Sequence, residues 1–339
     1  MRRIKNIIKL IFCKIVYRLG LLDLYIKYIF LHRDKFPAVI ITYHRFVTDS
    51  SDTLECCSTV THLIDVFEHE IRYLRRHYKI VSLDELVNTL ASGEKFNQPT
   101  IAITIDDGFK DNYQLLFPLL KKYNIPVTIF ITTAPIGTEK RLWVNWLEEI
   151  ILNTSKTSFS AGWFYSGKTF SLNDIAQKRE FYQLLLGKLK DIETWKRDQY
   201  LEYIEKVLGR PNVKKPIMLN WDEIREMQRA GVAFGAHTVN HPILTNLPLD
   251  EAKEEIINSK KKIERELGVT VNHFAYPNGR PQDFNDELRE FCKQIGFKSI
   301  SSCDYGNNSR REDIWSLKRI GAEVPIELFA VNILRAFNL

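Results

Sequence analysis

Two adjacent carboxylates, Asp106 and Asp107, follow an apolar, β-branched run at residues 101–105 that is typical of a buried strand. Carboxylates are seldom buried unless they are paired or bind a metal ion. Adjacent positions on a strand point to opposite faces, so the two aspartates differ in role unless the strand breaks, and Gly108 permits that break. The crevice between a parallel strand and the next helix is where α/β folds place active sites. The alternative is that one aspartate caps the following helix.

A pair of histidines, His237 and His241, follows a second apolar run at residues 232–236. At this spacing both rings lie on one face if the segment forms a helical turn, so both can reach one metal ion. Two structural histidines would give the same pattern. With Asp107 at a neighbouring strand end, a set of two histidines and one carboxylate becomes available. The sequence therefore predicts one divalent metal ion, with Zn²⁺ as the first choice and Co, Ni or Fe as alternatives.

A further histidine, His44, follows the apolar run at residues 36–43, which we interpret as the first buried strand. A lone histidine is usually structural. Its position after a strand, like that of the two aspartates, makes it a candidate catalytic residue.

The elements that position these residues alternate between strand and helix, which predicts a parallel sheet or barrel. The predicted strands span residues 36–43, 79–82, 101–105, 125–131, 232–236, 271–279, 298–302 and 314–320. From about 137 to 215 the alternation degrades, and we interpret this stretch as an insertion between barrel strands. Trp143 and Trp146 within it could stack on sugar rings, although we favour core packing.

Charge is unevenly distributed along the chain, which carries a net charge of +6. Residues 1–33 contain eight lysines and arginines and a single acid, Asp23, whereas the other 306 residues carry 40 basic and 41 acidic side chains. A neutral body excludes a basic groove for nucleic acid. The five cysteines, an odd number without a CxxC pair, argue against a disulfide framework and favour a reducing compartment.

Residues 2–19 alternate apolar and basic side chains at a spacing that predicts a helix with one apolar stripe and a basic opposite side. No run of 18 uncharged apolar residues occurs, so a membrane-spanning helix is disfavoured, and no signal-peptide cleavage site follows. Because apolar character continues to Leu31, we expect residues 2–31 to contact an anionic membrane surface. The alternative is a helix packed on the domain with its lysines in water. The predicted division is residues 1–33 and a globular domain at 34–339.

Together these residues resemble the polysaccharide deacetylase family, the NodB-type, metal-dependent carbohydrate esterases (carbohydrate esterase family 4). Residues 104–108 match the family motif T-[FI]-D-D-G, residues 237–241 match H-[ST]-x-x-H, and residues 274–279 are similar to F-[RA]-x-P-x-G. The likeness runs from about residue 37 to 325. It implies an α/β fold, a distorted (β/α)7 barrel, here with a helical insertion at about 137–215.

The resemblance implies a role for each matching residue. Asp106 is the expected general base, and the expected metal ligands are Asp107, His237 and His241. At the third motif, the backbone N–H of Asn278 is the expected oxyanion donor, with Tyr276 and Pro277 beside the substrate.

The sequence departs from the family pattern at two places. Many members have a C-terminal histidine as general acid, but no histidine occurs here after His273. The branch that deacetylates exopolysaccharides has a permuted arrangement with an N-terminal Tyr-His, which Tyr43 and His44 resemble, so we assign the acid to His44. The arginine that often holds the base is Ala275 in this chain. Arg319 or Arg45 is the expected replacement.

These features predict a hydrolase that removes an N-acetyl group from an amino sugar of a polysaccharide, an oligosaccharide or a lipid-linked glycan precursor. One alternative is a deformylase or another N-acyl amidase acting on a lipid-linked sugar. A second is a non-catalytic carbohydrate-binding protein. The expected partner is an N-acetylated glycan, and the sequence does not predict an oligomeric state. We expect a cytoplasmic protein at the inner face of the membrane, or alternatively an N-terminally anchored, extracytoplasmic one.

Overall fold

The computed structural model describes residues 2–48, 61–162, 167–212, 215–322 and 325–337, with side chains described from residue 10 onward except at residue 30. Two of the five cysteines, Cys56 and Cys57, lie outside the described residues.

Short strands alternate with helices along the described chain. The strands are β1 (Ala38–Tyr43), β2 (Arg45–Val47), β3 (Thr61–Leu63), β4 (Lys79–Ile80), β5 (Thr100–Ile105), β6 (Thr128–Ile131), β7 (Ser158–Ser160), β8 (Thr169–Ser171), β9 (Ala233–Ala236), β10 (His273–Ala275), β11 (Ser299–Ser301) and β12 (Ile320–Gly321). The helices are α1 (Arg2–Arg18), α2 (Leu21–His32), α3 (Ile64–His77), α4 (Leu83–Ala91), α5 (Phe117–Tyr123), α6 (Trp143–Asn153), α7 (Ile175–Lys190), α8 (Thr194–Leu208), α9 (Trp221–Arg229), α10 (Leu249–Leu267), α11 (Asp286–Gln294) and α12 (Ile326–Ala336).

A parallel sheet forms the centre of the molecule. Its strands follow the order β11-β10-β9-β6-β5-β1-β12, and β4 pairs with β5. Every residue of β1 and β5 is buried, as expected of parallel strands that are covered on both faces. The two strands pair in register from Ala38 with Thr100 to Tyr43 with Ile105, so they end at the same level.

The sheet curves into a distorted barrel. The edge strand β11 meets the segment that leads into β12 through the isolated bridge between Ser301 and Leu317. Leu317 N donates to the Ile300 carbonyl at 2.8 Å, and Ser302 N donates to the Leu317 carbonyl at 2.9 Å. The seven strands along the path confirm the predicted distorted (β/α)7 architecture.

The predicted strand at residues 314–320 is wrong over most of its length. Arg311–Trp315 form a 3-10 helix, and the strand is limited to Ile320–Gly321. The carboxylate of Asp313 accepts hydrogen bonds from the backbone N–H groups of Ser309 and Arg310, at 2.7 and 2.9 Å. These local bonds close a turn, which overrides the apolar pattern.

The insertion has a hydrophobic cluster of its own. Helices α6, α7 and α8 and the hairpin β7–β8 surround buried side chains that include Phe159, Phe181 and Tyr182. Trp143 belongs to this cluster, and the guanidinium of Arg197 lies over its ring at 4.9 Å. The insertion is therefore packed as a unit instead of forming loose loops.

Helix α1 confirms the predicted N-terminal helix and packs, with α2, against the helices α12 and α3. In the part of α1 whose side chains are described, Cys13 is buried against the domain, whereas Ile11 and Phe12 are exposed. Among the described residues, no helix combines the length and the apolar character needed to cross a bilayer.

Candidate metal and catalytic site

The sequence-predicted site residues meet at the carboxyl ends of β1, β5 and β9. His44 follows β1, Asp106 and Asp107 follow β5, and His237 follows β9. Asp106 N donates to the Tyr43 carbonyl at 2.9 Å, which extends the β1–β5 ladder by one residue. This register places His44 beside Asp106, at the edge where α/β folds bind ligands.

Asp107, His237 and His241 form a compact cluster in which one ligand atom of each lies within 4.8 Å of the others. Asp107 Oδ1 is 3.1 Å from His241 Nε2 and 3.4 Å from His237 Nε2. In the described part of the chain this buried oxygen has no hydrogen-bond partner. A buried, unpartnered carboxylate oxygen that faces two imidazole nitrogens suits a divalent cation. The residues present therefore fit one divalent metal ion.

The environment of the cluster prepares it for a cation. Nδ1–H of His237 donates to the Ala275 carbonyl at 2.8 Å, which leaves the lone pair of Nε2 directed towards Asp107. Burial would raise the pKa of Asp107, but the imidazoles of His241 and His237 beside it lower that pKa well below its usual range. Burial lowers the pKa of His241, which favours the neutral imidazole that a metal ion needs.

A bend, instead of the helical turn assumed from the spacing, brings His237 and His241 together. Thr238 Oγ1 accepts a hydrogen bond from His241 N at 3.0 Å inside this bend. The carboxylate of Glu255, on α10, accepts hydrogen bonds from the backbone N–H groups of Val239 and Asn240, each at 2.8 Å. The bend is thus held from inside and from the neighbouring helix.

Left-handed backbone is concentrated at the site. The site residues with positive φ are Asp107 (76°), Thr238 (67°), His241 (58°) and Asn278 (61°), and they are four of the five such non-glycine residues in the described chain. Each conformation of this kind costs about 1–3 kcal/mol and persists only where the surroundings enforce it. Gly108, at φ 86°, has no alternative, because a Cβ there would lie 2.8 Å from Ile131 Cγ2.

The carboxylate of Asp106 is held by Arg319. Arg319 Nη1 donates to Asp106 Oδ1 at 2.7 Å, and both side chains are buried. Arg319 Nε also donates to the Ser302 carbonyl at 2.8 Å, which fixes the guanidinium plane. Burial would raise the pKa of Asp106, but the charge of Arg319, with smaller contributions from His237 and His44, lowers it. Asp106 is therefore an ionised carboxylate with one oxygen restrained.

Arg45 does not reach Asp106. Its Nε lies 3.5 Å from Asp111 Oδ2, and its guanidinium lies 4.9 Å from the centre of the Phe109 ring. Of the two arginines considered from the sequence, Arg319 is the one that contacts Asp106, and Arg45 belongs to a neighbouring ion pair.

His44 faces Asp106 from the opposite side, with 3.9 Å between His44 Nε2 and Asp106 Oδ2. Its side chain is partly exposed and lines the cavity described below. Asn112 Nδ2 donates to the His44 carbonyl at 2.9 Å, and Asp111 Oδ1 accepts from Phe46 N at 3.0 Å. The segment just after the Asp-Asp pair thus clamps the backbone that carries His44.

The third motif contributes one residue to the cavity. Asn278 lines it, and its side chain accepts from Lys190 Nζ at 2.9 Å and donates to Asp283 Oδ2 at 2.5 Å. Tyr276 is fully buried and stacks on Phe284 with ring centres 4.4 Å apart, so its ring belongs to the core. Pro277 is not among the residues that line the cavity either. Neither residue lines the cavity, and the expectation that Tyr276 and Pro277 lie beside the substrate stays a prediction.

The cavity above these residues has a volume of about 260 Å³. Its wall includes side chains that the sequence did not indicate as site residues: Val144, Leu186, Lys190, Ile243 and Cys303. Trp143 also lines it, so this residue serves both the core of the insertion and the cavity. Three of these residues and Trp143 come from α6 and α7, far from the motifs in sequence. No local pattern marks them, since only the docking of the insertion brings them to the site.

Comparison with known proteins gives a consistent result. The sequence model of the family described as Polysaccharide deacetylase matches residues 93–300. The poly-beta-1,6-N-acetyl-D-glucosamine N-deacetylase of Staphylococcus aureus is 26% identical over 174 residues, which are 50% of this chain and 58% of that protein. The chain spans between 58% and 63% of the length of the curated relatives it matches.

Two solved structures share the fold. The Streptococcus pyogenes deacetylase PplD, in complex with acetate, has a TM-score of 0.59 at 18% identity, over 89% of this chain and 99% of that one. IcaB from Ammonifex degensii has a TM-score of 0.58 at 18% identity, over 88% and 98%. At this identity the similarity shows the fold alone, and it confirms the NodB-type barrel.

Proposed function

Since this chain belongs to the polysaccharide deacetylase family, we propose that it is a metal-dependent hydrolase that removes the N-acetyl group from an amino sugar of a glycan. The observation that carries the proposal is that two adjacent carboxylates, Asp106 and Asp107, line one cavity in different environments. Asp107 faces two imidazoles, and its neighbour Asp106 is held by Arg319. One carboxylate is thus set up to bind a cation, and the other to exchange a proton.

Asp107, His237 and His241 would hold the metal ion. When bound, a divalent ion supplies a Lewis acid that polarises the acyl oxygen and lowers the pKa of water from 15.7 to about 7. The remaining chemistry belongs to the side chains around it.

Asp106 is the proposed general base. Its Oδ1 is occupied by Arg319, so Oδ2 is the oxygen left to accept the proton of the attacking water. Arg319 keeps this carboxylate ionised and prevents it from rotating. A base that is already ionised and oriented needs no reorganisation before proton transfer.

His44 is the proposed general acid. It lines the cavity 3.9 Å from Asp106 Oδ2, so the two groups flank the space in which the amide bond would lie. As the C–N bond breaks, His44 gives a proton to the departing nitrogen, and the products are acetate and a free amino sugar. The backbone N–H of Asn278 is the proposed donor to the oxyanion, and the contacts of its side chain with Lys190 and Asp283 would hold it in place.

The substrate class is an N-acetylated glycan, as a polysaccharide, an oligosaccharide or a lipid-linked precursor. The activity in the name of the Staphylococcus aureus relative supports a β-1,6-linked N-acetylglucosamine polymer as the first substrate to test. The walls formed by Trp143, Leu186 and Lys190 belong to the insertion, so they are where this chain would distinguish among sugars.

The test combines metal content with acetate release from a panel of N-acetylated oligosaccharides, including β-1,6-linked ones. We expect about one divalent ion per chain. We also expect acetate release that is lost in Asp106→Asn, while that variant keeps its metal. Metal binding without acetate from any glycan would redirect the search to lipid-linked sugars or to other acyl groups. A chain that binds no divalent ion under non-chelating conditions would overturn the proposal.

A further inference from the structure

Exposed apolar side chains are concentrated on the two N-terminal helices. Among the described residues, fourteen large apolar side chains are exposed, and nine of them lie between residues 11 and 31. Single exposed apolar residues are common on soluble proteins, but a contiguous group of them marks an interaction surface. This short segment therefore differs from the rest of the described surface.

These nine side chains lie on the two consecutive helices α1 and α2, and we call them together the outer face. On α1 they are Ile11, Phe12, Ile15 and Leu19. On α2 they are Leu21, Leu24, Tyr25, Tyr28 and Leu31. Spacings of mostly three and four residues place each set on one side of its helix, and the two helices pack on each other.

The outer face is fixed relative to the domain. Leu22 and Ile26 on the opposite side of α2 are buried in the main hydrophobic core. Asp23 lies 3.6 Å from Arg76 Nη2 and 3.3 Å from His77 Nε2, both on α3. Because the inner side of the helices is already packed, the outer face cannot be buried by a simple rotation of either helix.

The charge of the two helices that carry the outer face indicates its partner. Lys14, Arg18 and Lys27 belong to these helices, and their only acid, Asp23, is engaged with α3. An anionic lipid surface attracts such a basic segment, and its headgroup region accommodates lysine and arginine beside apolar side chains. A symmetric dimer through this face would instead bring the same positive charges of two copies together.

We propose that the outer face docks on a lipid bilayer that contains anionic phospholipids. The apolar side chains enter the boundary between headgroups and acyl chains, and the basic side chains contact the lipid phosphates. The attachment is peripheral, and it is separate from the catalytic site, to which no outer-face residue contributes. An enzyme attached in this way meets lipid-linked or surface-bound glycans in two dimensions.

Vesicle flotation of the full chain tests the proposal. Vesicles of phosphatidylcholine alone are compared with vesicles that also contain phosphatidylglycerol, at low and at high salt. We expect binding that requires phosphatidylglycerol and weakens as salt rises. The variant Leu24→Ser/Tyr28→Ser/Leu31→Ser should bind roughly tenfold or more weakly, since it removes exposed apolar area and leaves the charge unchanged.

A matched control carries three serines at other exposed apolar positions, Ile175→Ser/Trp195→Ser/Val269→Ser, and should bind as the unmodified chain does. Both variants should keep their melting temperature, because none of the six side chains is buried. Equal binding by the two variants, or no binding to anionic vesicles, would overturn the proposal. So would a dimer, measured by sedimentation, that dissociates only in the outer-face variant, since the occupant would then be a second copy.

Discussion

Arg319 Nη1 and Asp106 Oδ1 lie 2.7 Å apart, although 213 residues separate them in the chain and both side chains are buried. This contact supports the expectation that Arg319 replaces the motif arginine whose place is taken by Ala275. The pair also couples the last strand of the barrel to the middle of the sheet, because Arg319 directly precedes β12 and Asp106 directly follows β5.

Arg319→Met should reduce both activity and stability. It leaves an uncompensated buried carboxylate, which costs about 3–5 kcal/mol, and it frees Asp106 to rotate or to become protonated. We expect roughly 10²-fold less acetate release. Urea unfolding of the same preparation measures the loss of stability.

The control for that experiment is Arg45→Met, which removes the cation next to Asp111 and leaves the contact between Arg319 and Asp106 intact. It should retain most of the activity. Equal losses in the two variants would show that Arg319 has no special role in holding the base.

Replacing Asp107 should separate metal binding from proton transfer. Asp107→Ala removes a ligand oxygen and is expected to lose bound metal, whereas Asp106→Asn keeps the cluster of Asp107, His237 and His241 and should retain metal while losing activity. Metal analysis after dialysis distinguishes the two. Stoichiometric metal in Asp107→Ala would remove this residue from the ligand set.

His44→Ala should lower turnover by roughly 10²–10⁴-fold, the usual range for general acid–base catalysis, without loss of metal. Asn112→Ala should give a smaller decrease, because it removes the donor to the His44 carbonyl and leaves the imidazole in place. Steady-state rates and metal content are measured for both. Unchanged turnover in His44→Ala would refute the assignment of the acid.

Asp111 should make folding stability depend on pH. Burial raises the pKa of Asp111 to about 6, in spite of Arg45, the backbone N–H of Phe46 and the side chain of Asn112, which all lower it. Because the folded-state pKa lies above the unfolded value, the folded state binds the proton more tightly. The resulting stabilisation is complete below about pH 4 and is lost as the pH rises through about 6.

This contribution amounts to about 3 kcal/mol, at 1.36 kcal/mol for each pKa unit. Asp111→Asn carries no such proton. The free energy of unfolding of the wild type should therefore fall relative to that of Asp111→Asn as the pH rises across this range. Urea titrations at several pH values measure both. Parallel curves would contradict the raised pKa.

The sequence predicted the strand-end residues well, because the signal is local. An apolar run that stops at Asp106 or His237 defines both the strand and the position of its polar end. The spacing of His237 and His241 predicted their proximity, but for the wrong reason. A bend with left-handed residues, held by Glu255, replaces the assumed helical turn.

Contacts between distant parts of the chain were not predictable in this way. The choice between Arg319 and Arg45 depends on how the last strand returns beside β1, which no local pattern encodes. Lys190 belongs to the insertion, and its approach to Asn278 requires the insertion to dock on the barrel. The ring of Tyr276 packs on Phe284, a contact that its place in the third motif did not indicate.

The hydrophobic cluster of the insertion has a consequence for how the cavity can vary between related proteins. Helices α6 and α7 supply one wall of the cavity, and the barrel supplies the residues of the metal cluster and Asp106. Substitutions along the inner surface of those two helices can reshape the space for the sugar while the geometry of the reacting groups stays the same. On the proposed function, the side chains that select the sugar and the side chains that carry out the reaction thus come from different parts of the chain.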